Sequence, residues 1–166
     1  MLSFHEWMNT TGRNPHAYQV TYLRNMEGIA ASKLMPRAGT SAWLKPHLQY
    51  HSAKGVFFCS NPKCVQYWLD AMAEQAYTHS DQPLEEGYIP IILRFKLNRN
   101  SWKPDDLGET PGSFYTQKNI DSQGIEVWDG RTWNQDLDSA ENFRYYFDDS
   151  NHDEDCFANY PMPKVW

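Results

Sequence analysis

The sequence predicts an α+β fold with helices in the amino-terminal half and strands through the remainder. Three observations carry this expectation. Around residue 18 apolar and polar side chains alternate, and within a few positions the apolar residues change to helical spacing. At Asn61-Pro62 an apolar run ends in a helix-start signal. From residue 88 onward, short apolar or alternating runs are separated by Gly, Pro, Asn and Asp, the pattern of a β-rich half.

Residues 1–16 are polar, carry Gly12 and Pro15, and read as a loosely attached arm with Trp7 and Met8 as anchors. Tyr18, Val20 and Tyr22 then alternate with Gln19 and Thr21, which gives a strand with two unlike faces. Leu23, Met26, Ile29, Ala30 and Leu34 follow at helical spacing, with Asn25 as cap and Pro36 as stop. That predicts one helix of about three turns. Residues 37–54 are loop-like, with Trp43, Leu44 and Leu48 as points of attachment to the core.

Gly55-Val56-Phe57-Phe58-Cys59 is apolar, bounded by Gly and Asn-Pro, and reads as a buried strand. Asn61 caps the next helix and Pro62 fills its first position; Val65, Trp68, Leu69, Met72 and Ala76 give that helix, over 62–76, one apolar face. After an acidic loop at 77–87, residues 88–97 form the clearest strand, closing with Leu93, Phe95 and Leu97 against Arg94 and Lys96; Pro90 belongs near its start. Residues 98–112 read as loop. Two strands follow at 113–117 and 125–128, the second leaving through an Asp129-Gly130 turn toward Trp133. Phe143, Tyr145, Tyr146 and Phe147 supply a further strand or short helix. The organisation expected is an arm (1–16), one domain (17–133), and an acidic, aromatic carboxyl-terminal segment (134–166) packed on that domain or extending it.

At 166 residues the chain suits a single core. Its net charge of −6 gives no general attraction to nucleic acid, and the local basic run Arg94, Lys96, Arg99, Lys103 reads as a solvated strand face. Cys59, Cys64 and Cys156 leave one thiol without a partner, which predicts buried thiols in a reducing compartment rather than a disulfide framework. The start of the chain lacks the basic-then-apolar order of a signal peptide, and no run of eighteen apolar residues occurs. A cytoplasmic protein with no membrane association is expected. Neither Cys59 and Cys64 with His51, nor the acidic residues around His152, has zinc or calcium spacing, so no metal is expected.

Tyr18-Gln19-Val20-Thr21, with Asn25, Ile29 and Leu34-Met35-Pro36 behind it, resembles the first motif of the ADP-ribosyltransferase superfamily, as found in DarT-like toxins and RNA 2′-phosphotransferases. Gly55 to Ser60 is similar to the second motif, a strand ending in a small hydroxyl residue before a helix. Residues 90–97 are similar to the next core strand, and Phe114-Tyr115-Thr116-Gln117 resembles the third motif, where transferases carry a glutamate. The resemblance covers roughly residues 17–133 and rests on motif order. It implies a split β-sheet core with two short helices in the amino-terminal half, NAD as substrate, and a macromolecular acceptor, nucleic acid or protein. The setting it implies is that of a toxin, phage or phage-defence effector, with an antitoxin or inhibitor protein as a possible partner.

ADP-ribosyl transfer breaks the bond between nicotinamide and ribose through a transition state of oxocarbenium character, so a site needs dinucleotide anchors, an aromatic stack and a carboxylate. By resemblance Gln19 contacts the adenosine ribose and Thr21 steadies the turn of this cofactor-binding segment, Ser60 supports the nicotinamide pocket, and Tyr67 or Tyr115 stacks on the ring. Gln19 stands where His or Arg is usual and Gln117 where Glu is usual. A neutral amide hydrogen-bonds but does not ionise, so Glu126 is the nearest candidate for the acid. The alternative is a catalytically inactive binding module on the same fold, recognising an NAD-like ligand or a protein partner.

Overall fold

The computed structural model describes residues 16–35, 55–105, 110–147, 157 and 160–166. Residues 1–15 of the expected 1–16 arm, the whole of the 37–54 loop, and His152 with Cys156 lie outside the described residues. What is described is α+β, as the sequence predicts.

Strand β1 (His16–Tyr22) is the middle of a seven-stranded sheet. The other strands of this sheet are β3 (Val56–Cys59), β4 (Pro90–Lys96), β5 (Lys103–Pro104), β6 (Ser113–Thr116), β8 (Ile125–Trp128) and β9 (Trp133–Asn134). The order across the sheet is β5-β6-β3-β1-β4-β8-β9, and its pairings are antiparallel. A second, two-stranded sheet pairs β2 (Lys33–Leu34) with β7 (Ile120–Asp121).

Register assigns the faces, because directly opposed residues of an antiparallel pair point the same way. Tyr18 lies opposite Cys59 and Arg94, and Arg94 opposite Glu126, so these four share one face. Gln19, Leu93 and Val127 share the other.

Helix α2 (Pro62–His79) covers the Tyr18 face with Cys64, Val65, Leu69, Met72 and Ala76 buried. It starts where the sequence places it: the Asn61 side chain accepts from the Cys64 N–H at 2.9 Å. It runs three residues beyond the expected end at 76; Tyr22 donates its hydroxyl to the Met72 carbonyl at 2.8 Å and meets His79, in the last turn, edge-on at 5.9 Å. On the opposite face Phe58, Phe95, Trp102 and Phe114 pack ring against ring at centroid separations of 5.0–6.1 Å.

The region after β1 differs from expectation. Instead of a three-turn helix, a 3-10 turn (Leu23–Asn25) leads into the six-residue helix α1 (Met26–Ala31), and the chain then extends into β2. Gly28 in the middle weakens helix propagation, and Leu34 finds a strand partner in Ile120. Asn25 makes no side-chain cap; its Nδ2 donates to Thr21 Oγ1 at 3.2 Å. The expected 98–112 loop contains β5, which forms one edge of the sheet.

The described residues after 134 belong to the same core. A ten-residue 3-10 helix (Leu137–Tyr146) buries Leu137, Ala140 and Phe143, which recur every three residues as that helix requires. Residues 160–166 then cross the Tyr18 face as a strap. Tyr160 donates its hydroxyl to the Pro90 carbonyl at 2.7 Å, Trp128 Nε1 donates to the Pro161 carbonyl at 2.6 Å, and Trp133 Nε1 to the Val165 carbonyl at 2.8 Å. Trp166 meets Tyr18 edge-on at 5.3 Å.

Cys59 and Cys64 are not separate thiols: they form a disulfide between the end of β3 and the first turn of α2, with Cα atoms 5.6 Å apart. The strand-to-helix turn brings the two positions together, and the expectation of a reducing compartment loses the support it drew from unpaired cysteines. No described helix is long and apolar enough to cross a membrane.

Burial, and after it the neighbouring Tyr88, holds the Tyr22 hydroxyl neutral well above the ordinary tyrosine value of 10.0. Burial does the same for Tyr160. The unfolded chain therefore ionises first: stability is full below about pH 10 and falls as pH rises beyond it. Tyr22→Phe is expected to cost about 1 kcal/mol at pH 8 and to flatten the alkaline loss. Urea midpoints of both proteins at pH 8 and pH 10.5 measure it.

Candidate functional site

The centre of a seven-stranded sheet, with neighbours as apolar as Ile91, Leu93 and Phe95, calls for apolar side chains. On that face β1 instead carries Gln19 and Thr21. Gln19 is half-buried, and its Nε2 donates to the Phe57 carbonyl of β3 at 3.0 Å. The ladder between β1 and β3 is short, registered at Tyr18 and Cys59, and the amide extends it by one bond. Among the described residues, the Gln19 Oε1 oxygen accepts no hydrogen bond. Thr21 is buried beside it, and its Oγ1 accepts from Asn25, which leaves the hydroxyl proton to donate. Gln19, Thr21 and Asn25 thus make a polar strip along the central strand. Such local departures from an apolar pattern are characteristic of functional positions.

Ser60 sits at the end of β3, buried, and both its N–H and its hydroxyl donate to the Gly112 carbonyl, at 2.9 and 3.0 Å. Tyr115 stacks on Phe57 at 5.3 Å, opposite it across the β3–β6 pair. Phe57 and Cys59 are two residues apart on β3, so Tyr115 belongs to the Tyr18 face and not to the Gln19 face. Tyr67 is exposed on α2 and meets Trp68 edge-on at 5.1 Å. Gln117 follows β6 at the sheet edge, where its Oε1 accepts from Lys103 Nζ at 2.9 Å.

Glu126 is on the face opposite Gln19. Its carboxylate takes two hydrogen bonds from Arg94, Nε to Oε1 at 3.0 Å and Nη2 to Oε2 at 3.2 Å, with the side chains only 15% and 26% exposed for Arg94 and Glu126. The Arg94 guanidinium also lies 4.5 Å over the Trp133 ring. Arg94 is therefore a half-buried partner and not part of a solvated strand face.

The fold thus brings the strands of Gln19, Ser60 and Tyr115 together as neighbours β1, β3 and β6, while the side chains divide between faces. Gln19 and Thr21 stand together; Tyr115 and Glu126 face the other way, Tyr67 projects from the helix over that other face, and Gln117 stands at the edge. Two further members of the strip are Asn25, to which the sequence assigned only a helix cap, and the Phe57 carbonyl, to which it assigned nothing. The signal for Asn25 was its spacing of four from Thr21. Among the described residues no group of three His, Cys, Asp or Glu side chains is placed to share a metal ion.

His16, at the start of β1, is shifted below its ordinary value of 6.5 by burial first and by the Arg94 charge second, against a smaller opposing pull from Glu126. The folded state prefers it neutral. Its contribution to stability is complete above about pH 6.5 and is lost as pH falls through the folded value. His16→Gln is expected to reduce the difference in urea midpoint between pH 7.5 and pH 5.5.

Compared with known proteins, the chain matches no family model, no curated protein and no solved structure.

Proposed function

We propose that the chain binds NAD through the polar strip of its central strand, on a core of the ADP-ribosyltransferase type. The observation that carries the reading is the half-buried Gln19 amide at the middle of the sheet, with Oε1 able to accept from a ribose hydroxyl and Thr21 able to donate beside it. Support comes also from the adjacency of β1, β3 and β6, the strands that hold the three motif-like segments. In chain order these are first, second and third, and in the sheet they are consecutive.

Transfer of ADP-ribose to a nucleic acid or protein acceptor is the second reading, and motif order favours it. It asks more of the residues. Among the described residues the only carboxylate on the seven strands of the main sheet is Glu126, which is held by Arg94 on the face away from Gln19. Gln117 is neutral and engaged by Lys103. Binding without transfer therefore fits the described geometry better, and transfer requires a carboxylate supplied from elsewhere.

Incubation of the protein with labelled NAD and cell extract separates the readings. Retained NAD without released nicotinamide is the expected result. Label transferred to an acceptor, with nicotinamide released, establishes the second reading; neither retention nor turnover removes both.

A further inference from the structure

We propose that the Cys59–Cys64 disulfide is a redox-responsive clasp on the junction between β3, α2 and β6, a thiol–disulfide exchange site that acts whether or not NAD is the ligand. The bond ties the last residue of β3 to the first turn of α2 and encloses Ser60 and Asn61. Those two residues hold the neighbouring turn. Ser60 donates twice to the Gly112 carbonyl, Asn61 Nδ2 reaches both Ser60 Oγ and the Pro111 carbonyl at 3.5 Å, and Asn61 Oδ1 caps the Cys64 N–H. The turn leads directly into β6, whose Ser113 is in register with Cys59. One covalent bond therefore stands behind the helix cap, the 110–112 turn and the start of an adjacent strand.

Exchange at this bond is chemically simple. A thiolate of an external dithiol attacks the Cys59 sulfur and forms a mixed disulfide, and Cys64 leaves as a thiolate and takes a proton. The second thiol of the reductant then attacks its own sulfur in the mixed disulfide and releases Cys59. Two electrons pass to the protein, which gains two thiols, and the dithiol leaves as its disulfide. Cys64 is the better leaving sulfur because it lies in the first turn of an 18-residue helix, at the positive end of the dipole. Both cysteines are buried, Cys64 at 0% and Cys59 at 3% exposure, so attack waits for the first turn of α2 to open. That turn begins with Pro62, which has no N–H, and Lys63 beside it is exposed.

The ring is small, and its loop-closure contribution corresponds to roughly a 3- to 30-fold change in local opening. The test uses the full chain with Cys156→Ser, oxidised by glutathione disulfide or reduced by dithiothreitol, and reads iodoacetamide uptake by intact mass alongside amide hydrogen exchange. The oxidised protein is expected to take up no label, and the reduced protein two. Reduction is expected to speed exchange about 3- to 30-fold at residues 60–65 and 111–114, with residues 70–79 unchanged. Cys59→Ser/Cys64→Ser is expected to reproduce the reduced pattern. Two labels on the oxidised protein, unchanged exchange at the junction on reduction, or loss of protection spread evenly over the chain would each overturn the proposal. NAD titration of both redox forms is read separately, so an absence of NAD binding leaves the exchange result standing.

Discussion

Phe143→Ala is expected to lower the unfolding free energy by about 3–5 kcal/mol, measured by urea denaturation. Phe143 is fully buried, and its ring meets Tyr160 at 4.9 Å and Tyr146 at 5.6 Å. The first of these contacts joins the 3-10 helix to the strap, and Tyr160 in turn bonds to the Pro90 carbonyl at the start of β4. Loss of the ring empties the position where the 3-10 helix meets the strap, and little of it can close because the strap is held at Pro161 and Val165 as well. A single cooperative transition, shifted as a whole, is the expected form. A small early transition that leaves the main unfolding unchanged would show that residues after 134 are an appendage and not part of the core.

Gly112→Ala is expected to cost about 2–4 kcal/mol, read from the same denaturation curves. Gly112 has φ +92, in the region that favours glycine. A Cβ there would meet Asn61 Nδ2 and Ser60 Oγ, and the turn can yield only by displacing the groups that cap α2. Backbone strain and a weakened helix cap therefore add. An effect below about 1 kcal/mol would mean that the 110–112 turn does not support the junction.

Much of the fold was legible because local signals and tertiary contacts agreed. Asn61-Pro62 fixed the start of α2, the alternation around Tyr18 gave β1, and residues 125–128 formed the strand expected of them. Where the reading went astray, the missing information was not local. Leu34 fits a helical period from Met26, yet pairing with Ile120, far along the chain, makes it a strand residue. Leu137, Ala140 and Phe143 carry a period of three, which a search for periods of 3.6 and two passes over. Cys59 and Cys64 meet only because a strand turns directly into a helix between them.

The site was less legible than the fold, for a physical reason. Strand alternation tells which residues share a face within one strand, but the relation between strands depends on register, and register is set by pairing. Gln19 and Thr21 were placed together because they lie on one strand. Tyr115 joins them by motif order and Glu126 by nearness to Gln117 along the chain, and pairing through Phe57 and Arg94 turns both toward the opposite face. Arg94 reads as a solvated residue because it alternates with apolar Leu93 and Phe95 and heads the basic run Lys96, Arg99, Lys103; its partner lies 32 positions away.

Calorimetric titration of NAD into the purified chain, repeated with Gln19→Ala, is the most direct test. Saturable binding of one NAD per chain is expected, weakened at least about tenfold by the substitution, the scale of one lost hydrogen bond to a ribose hydroxyl. Binding unchanged by Gln19→Ala, or no binding by the unaltered chain at millimolar NAD, would contradict a dinucleotide site on the central strand.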